Sequence, residues 1–312
     1  MLNLKPLFFV APFLLLGCAE LPEASKMIPV KIAEVPGYCE GIVFDQQGNG
    51  YISDTQHGTI YKIILPEGKT ELWATTQAPN GHKILPNGTH LVADKNAVLH
   101  LGSDGKLLGN ASVESEGIPL RSPNDISLDL KNGGFYFSDP GGSNAGNPIG
   151  TLHYVDSTGK TTLVASGFAF PNGVVLRPDG KTLLMGESEF NRIWEFEVLA
   201  PGKVGMKKLF ADLPKKSKPE QINNAPDGMC LDADGNLFVA HYGMQTVQVF
   251  DKTGKLLRSY SGGNLTTSNV AFSGKEMNEL YITGAIGEER TTKGCLFRLT
   301  LPGVKGLKII NN

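Results

Sequence analysis

The chain has 312 residues, 40% of them hydrophobic and 19% charged, with a formal net charge of -2. That balance leaves no basic footprint, which argues against nucleic acid as a partner. The length allows two ordinary domains or one large all-β domain, and 38 glycines with 19 prolines suit many short strands joined by turns.

The first residues read as a targeting segment. After Lys5 comes "PLFFVAPFLLLG", an uncharged run closed by Cys18. It is too short to span a bilayer and fits the apolar region of a signal peptide. Leu15-Leu16-Gly17-Cys18 resembles the bacterial lipoprotein signal, in which cleavage leaves a lipidated cysteine. The expected organisation is a signal peptide over 1–17, a lipidated tether over 18–27 and one folded domain over 28–312. Such a protein sits in the cell envelope, bound to the membrane through its lipid. Ala19 stands where an inner-membrane retention signal often has Asp, so the outer membrane facing the periplasm is the expected address. Cys39, Cys230 and Cys295 remain, an odd number without metal-site spacing; at most one disulfide can form.

Beyond the tether, "IPVKIAEV" (28–35) is strand-like, and six segments then repeat one plan: polar start, alternating strand, Gly-containing turn, second strand. They are "CEGIVFDQQGNGYISDT", "NGHKILPNGTHLVAD", "RSPNDISLDLKNGGFYFSDP", "PNGVVLRPDGKTLLMGES", "PDGMCLDADGNLFVAHYG" and "TSNVAFSGKEMNELYITGA". Their starts at Glu40, Asn80, Asn124, Asn172, Asp227 and Asn269 recur at 40 to 55 residues, a propeller period. With further strand-like stretches between them, the pattern predicts four strands per repeat and an all-β, six-bladed β-propeller. Ring closure should pair 28–35 with "CLFRLTL" (295–301), because an open edge invites aggregation.

In such a fold each innermost strand begins at one rim, and its hairpin partner returns there. Glu40, Asn124, Asn172 and Asp227 each bring a side-chain oxygen to that rim. Two carboxylates and two amides around one channel suit a hard divalent cation, Ca²⁺ first. Mg²⁺, Mn²⁺ or Zn²⁺ are possible substitutes.

Four motifs, "CEGIVFDQQGNGYISD", "SPNDISLD…FYFSDP", "FPNGVVLRPDG" and "PDGMCLDADGNLFVA", resemble the senescence-marker-protein / gluconolactonase / luciferin-regenerating-enzyme-like family. The resemblance covers nearly the whole chain beyond the signal segment. It implies a six-bladed propeller with one divalent metal in its channel, acting as a calcium-dependent lactonase. By resemblance, Glu40, Asn172 and Asp227 match the three protein ligands of that metal. Asn124 matches a channel Asn that binds metal or substrate. Sugar lactonases of this type often carry an Arg two residues before that Asn; here Arg121 is three before it, so it either binds substrate or faces solvent. His82 either faces the cleft or packs in the sheet, and His241 returns to the active rim as a candidate substrate contact.

The chemistry expected is hydrolysis by a metal-oriented water, with Asp227 as general base and His241 as second candidate. No Gly-x-Ser-x-Gly elbow offers an acyl-enzyme route. The substrate would be a sugar or other lactone and the protein a monomer. Two alternatives stay open: a phosphotriesterase-like hydrolase using the same metal cup, and a non-catalytic lipoprotein that uses the propeller as a binding platform.

Overall fold

The structure, a computed structural model, describes residues 20–216, 224–287 and 292–308. The expected signal peptide and the lipidation site Cys18 lie outside the described residues.

The described strands form six antiparallel sheets of at least four strands each, arranged as the blades of a β-propeller. The innermost strands are Cys39–Phe44, His82–Ile84, Ile126–Asp129, Pro171–Leu176, Ala225–Leu231 and Val270–Ser273, for blades 1 to 6 in that order. Each is followed by a hairpin partner across a turn that contains Gly. In the first of these turns, Asp45 Oδ1 accepts the amide N–H groups of Gln47 and Asn49, and Gly48 takes the left-handed conformation at φ 84°. Blade 6 is completed by the N-terminal strand Val30–Val35, which pairs with Gly294–Thr300 from Val30 opposite Arg298 to Val35 opposite Gly294. Closure therefore occurs where the apolar alternation of both segments predicted it.

One blade cannot bury both of its faces; stacking against neighbours does that. Six apolar clusters result, one in each cleft between adjacent blades. Ile42, Ile52 and Ile63 of blade 1 meet Tyr281 and Leu296 of blade 6, for example. The other clefts repeat the arrangement.

The later part of the expected tether lies on the fold from Leu21 onward: Leu21, Ala24 and Met27 pack against the cluster between blades 5 and 6. Tyr260 Oη donates to the Pro22 carbonyl at 2.9 Å and Arg258 Nη2 to the Leu21 carbonyl at 3.2 Å. Apolar side chains at three of these positions explain why the stretch docks rather than staying in water. Cys39, Cys230 and Cys295 are free thiols. Burial pushes the Cys39 thiol well above its ordinary range and Cys295 up to about 12, so both are held protonated and inert.

Candidate functional site

The six polar starts form a closed ring. A Cβ on Gly41 would lie 2.2 Å from the Asn80 carbonyl oxygen, and one on Gly81 2.5 Å from that of Asn124. A Cβ on Gly173 would lie 2.2 Å from the Asp227 carbonyl oxygen, and one on Gly228 2.3 Å from the Asn269 side chain. Glycine stands at these four joints because any side chain would force adjacent blades apart. The two joints without such a glycine are made by side chains instead. Asp125 Oδ2 accepts the Val174 N–H at 3.1 Å between blades 3 and 4. Ser268 Oγ donates to the Cys39 carbonyl at 2.6 Å between blades 6 and 1.

All six starts carry a β-bulge. Glu40-Gly41 stands opposite Ser53, Asn172-Gly173 opposite Gly186, and Asp227-Gly228 opposite Ala240. A bulge sets two residues against one and re-aims a side chain out of the regular alternation. In blades 2, 3 and 6 the same step lies at or just before the first strand: the backbone carbonyls of Ala93, Ser138 and Thr283 accept the N–H groups of Asn80, Asn124 and Ser268, and their N–H groups donate to the carbonyls of Gly81, Asp125 and Asn269. Glu40, Asn124, Asn172 and Asp227, the four oxygen donors expected from the sequence, therefore hold equivalent positions, shared by Asn80 in blade 2 and by Ser268 rather than Asn269 in blade 6.

All four donors are buried, at 3% to 8% exposure, and hydroxyls hold two of them. Tyr38 Oη donates to Glu40 Oε1 at 2.9 Å. Asn172 Nδ2 donates to Ser188 Oγ at 3.3 Å, and Ser188 Oγ donates to the Pro226 carbonyl at 2.8 Å. Since the amide nitrogen of Asn172 is committed to Ser188, its Oδ1 is the acceptor it can offer elsewhere. Among the described residues, no three His, Cys, Asp or Glu side chains cluster as a metal set. The ring supplies two carboxylates and two amide oxygens, a set that fits a hard, oxygen-seeking cation better than zinc or copper.

The histidines fall elsewhere. His82 is fully buried, with Nε2 2.7 Å from His90 Nδ1 and its ring stacked on Trp73 at 5.9 Å. It packs within the cleft between blades 1 and 2, and burial pulls its pKa well below the ordinary 6.5. His241 is also fully buried: Nε2 lies 2.9 Å from Asn191 Oδ1 and Nδ1 3.1 Å from Gln248 Nε2. Burial lowers its pKa to about 3. Both of its ring nitrogens are engaged by amides.

The strand register explains the position of His241. It faces Pro226 as Asp54 faces Cys39 and Glu187 faces Pro171. Carboxylates at the return ends of blades 1 to 4 staple the chain that enters each of them. Asp54 Oδ2 accepts the Gly37 N–H at 2.9 Å, Asp94 Oδ1 the Ala78 N–H at 2.6 Å, and Glu187 Oε1 the Ala169 N–H at 2.8 Å. Asp139 does the same for Arg121 and Ser122, both at 2.9 Å. Sequence reasoning missed these staples, although the endings "SDT", "VAD", "SDP" and "GES" recur. Arg121 itself is exposed at the rim, with Nη2 donating to the Ile149 carbonyl at 3.2 Å.

A cavity of about 1530 Å³ extends toward the opposite end of the channel, lined in part by Ile42, Lys83, Leu128, Val175 and Cys230. None of the four donors lines it. The polar ring and the wide cavity thus occupy different depths of one channel.

Comparison with known proteins places this architecture. A family model described as "SMP-30/Gluconolactonase/LRE-like region" matches residues 38–286. A lactonase drp35 of Staphylococcus saprophyticus is 32% identical over 250 residues, covering 75% of this chain and 73% of that protein. Diisopropyl-fluorophosphatase of Loligo vulgaris is 27% identical over 263 residues, covering 75% and 81%. Among solved structures, a calcium-binding protein, regucalcin, from Agrobacterium tumefaciens superposes with a TM-score of 0.72 at 21% identity, covering 89% and 96%.

Proposed function

Because the chain belongs to the SMP-30/gluconolactonase/LRE-like family, we propose that it is a metal-dependent lactonase that opens a sugar or other lactone to its hydroxy acid. The observation that carries this reading is the ring: Glu40, Asn124, Asn172 and Asp227 are buried at equivalent bulged starts of four blades. A pure scaffold has no need to gather two buried carboxylates and two amides at one level of a channel. The lactonase relative supports the substrate class, and the calcium-binding neighbour agrees with an oxygen-only donor set.

Glu40, Asn124, Asn172 and Asp227 would hold the ion, Ca²⁺ first. When bound, such an ion supplies Lewis acidity at the ester carbonyl and a fixed positive charge for the developing oxyanion. Asp227 is the general base. It takes one proton from the attacking water, whose oxygen bonds to the acyl carbon, and that proton ends on the ring oxygen released as a hydroxyl. His241, enclosed by Asn191 and Gln248, supports the strand beside Asp227. Arg121 and the 141–150 loop form part of the substrate rim.

The test is hydrolysis of a lactone panel with and without a chelator, followed by restoration with Ca²⁺. Turnover that ignores the chelator would defeat the metal reading; no turnover on any lactone would defeat the substrate class. A second reading, phosphotriester hydrolysis in the same cup, is favoured by the diisopropyl-fluorophosphatase relative. A fluorophosphate substrate included in the panel separates the two. The lipid anchor stays with this proposal: Cys18→Ser should release the protein from the membrane fraction, and unchanged membrane association would refute it.

A further inference from the structure

The joint between blades 3 and 4 departs from the glycine joints in a way that bears on the ring. After its polar start, blade 3 carries Asp125 where blades 1, 2, 4 and 5 carry Gly41, Gly81, Gly173 and Gly228. The Asp125 carboxylate is 2% exposed; Oδ1 accepts the Ile126 N–H at 2.9 Å and Oδ2 the Val174 N–H at 3.1 Å. It therefore lies next to Asn124 in sequence and bonds a backbone group two residues past Asn172. Its remaining partner comes from a third blade: Lys83 Nζ of blade 2 stands 3.6 Å from Asp125 Oδ1, with its side chain 19% exposed.

Lys83 also lines the channel cavity, as does Cys230 of blade 5, the blade across the ring. The Lys83 ammonium thus stands at the channel on blade 2 and pairs with blade 3. A buried carboxylate with no countercharge is costly, and removing one partner of such a pair leaves that cost exposed. The same ammonium repels any second cation nearby, and the low-dielectric walls weaken screening.

We propose that Lys83 is a built-in counter-cation of the donor ring: it neutralises Asp125 in the metal-free protein and sets a limit on how tightly the ring holds a divalent ion. Asp125 is in turn a positioning residue, fixing the inner strands that bear Asn124 and Asn172. This inference rests on the metal reading above.

The sign of the effect separates it from a merely structural role. Calcium binding is measured by titration calorimetry on the purified protein, and metal-free stability by melting temperature in chelator. Lys83→Met should bind Ca²⁺ about tenfold or more tightly, because it removes a like charge. Its metal-free melting temperature should fall and recover on adding Ca²⁺. Lys83→Arg, which keeps the charge, should stay near the parent affinity. Asp125→Asn should bind about tenfold more weakly. If Lys83→Met does not fold, Lys83→Gln carries the same sign test. Affinity unchanged or weakened in a folded Lys83→Met or Lys83→Gln would overturn the proposal while leaving the metal reading intact. A parent protein that binds no divalent ion would overturn both.

Discussion

Blades 3 and 6 carry Asp125 and Asn269 in the second place of the bulge, where blades 1, 2, 4 and 5 carry Gly41, Gly81, Gly173 and Gly228. All six starts are bulged, so the bulge alone does not distinguish them. What differs is where a polar group's bonds go. In the second place, Asn269 Oδ1 accepts the N–H of its own strand, from Val270, at 2.9 Å, and Asp125 Oδ1 does the same for Ile126. In the first place, Asn172 spends its amide nitrogen on the hydroxyl of Ser188, just past the returning strand. The lesson is that a polar residue in the second place serves its own strand, whereas one in the first place is turned out of the ladder.

The largest expected effect tests this difference directly. Asp227→Asn keeps an oxygen on a bulged start but removes the base. Turnover should fall roughly 10²–10⁴-fold even at saturating metal. Asn269→Ala, in the second place of its bulge, should cost about 1 kcal/mol of stability and leave turnover nearly intact. Lactone hydrolysis and denaturant melts on both variants would collapse the distinction if Asn269→Ala were the more damaging to catalysis.

Next in size is Ser188→Ala, which frees the Asn172 amide to rotate. Loss of a group that orients a ligand typically costs 10–100-fold in metal affinity, so calcium titration should show at least about a tenfold weakening. Ser188→Thr should recover most of it. An unchanged affinity would mean that Ser188 does no more than join two strands.

Gly173→Ala asks whether the bulge needs its glycine. The added Cβ would meet the Asp227 carbonyl oxygen at 2.2 Å, and overpacking of this kind costs roughly 1–3 kcal/mol. Stability and calcium affinity should fall together, because one displacement moves both Asn172 and Asp227. A stability loss without an affinity loss would detach the bulge from the site.

The smallest effect concerns the buried histidines. Burial holds His90 and His153 at a pKa of about 4 and His241 at about 3, against the ordinary 6.5. The folded protein therefore binds fewer protons than the unfolded chain below about pH 6.5. The stability these groups contribute is complete above that pH and is lost as pH falls toward 4 and then 3. Melting temperature should drop across this window, and His241→Gln should flatten its lower part. His241→Gln should also keep most of its turnover; a collapse of turnover at normal stability would move the base from Asp227 to His241.

The six-fold repeat, the four-strand blades, the N-to-C closure and the placing of Glu40, Asn124, Asn172 and Asp227 at blade starts were all legible in the chain. They rest on local periodicity and on turn residues whose backbone preferences act over a few positions. The bulges were not legible, since "CEG", "PND", "PNG" and "PDG" look like ordinary turn openings. Nor were the staples Asp54, Asp94, Asp139 and Glu187, or the docking of Leu21 and Met27 on the finished fold. Each depends on partners far away in the chain. For His82 and His241 the alternation fixed a place on a strand, and only blade packing decided that amides and aromatic rings would surround them. Sequence by itself determined, to within one residue, where each blade begins, because strand period and turn chemistry are local; in blade 6 the equivalent start is Ser268 rather than Asn269. Tertiary structure alone decided that these beginnings are bulged and which polar group of each is turned out of the ladder, because a bulge is settled by the register of two strands and the closeness of the next blade.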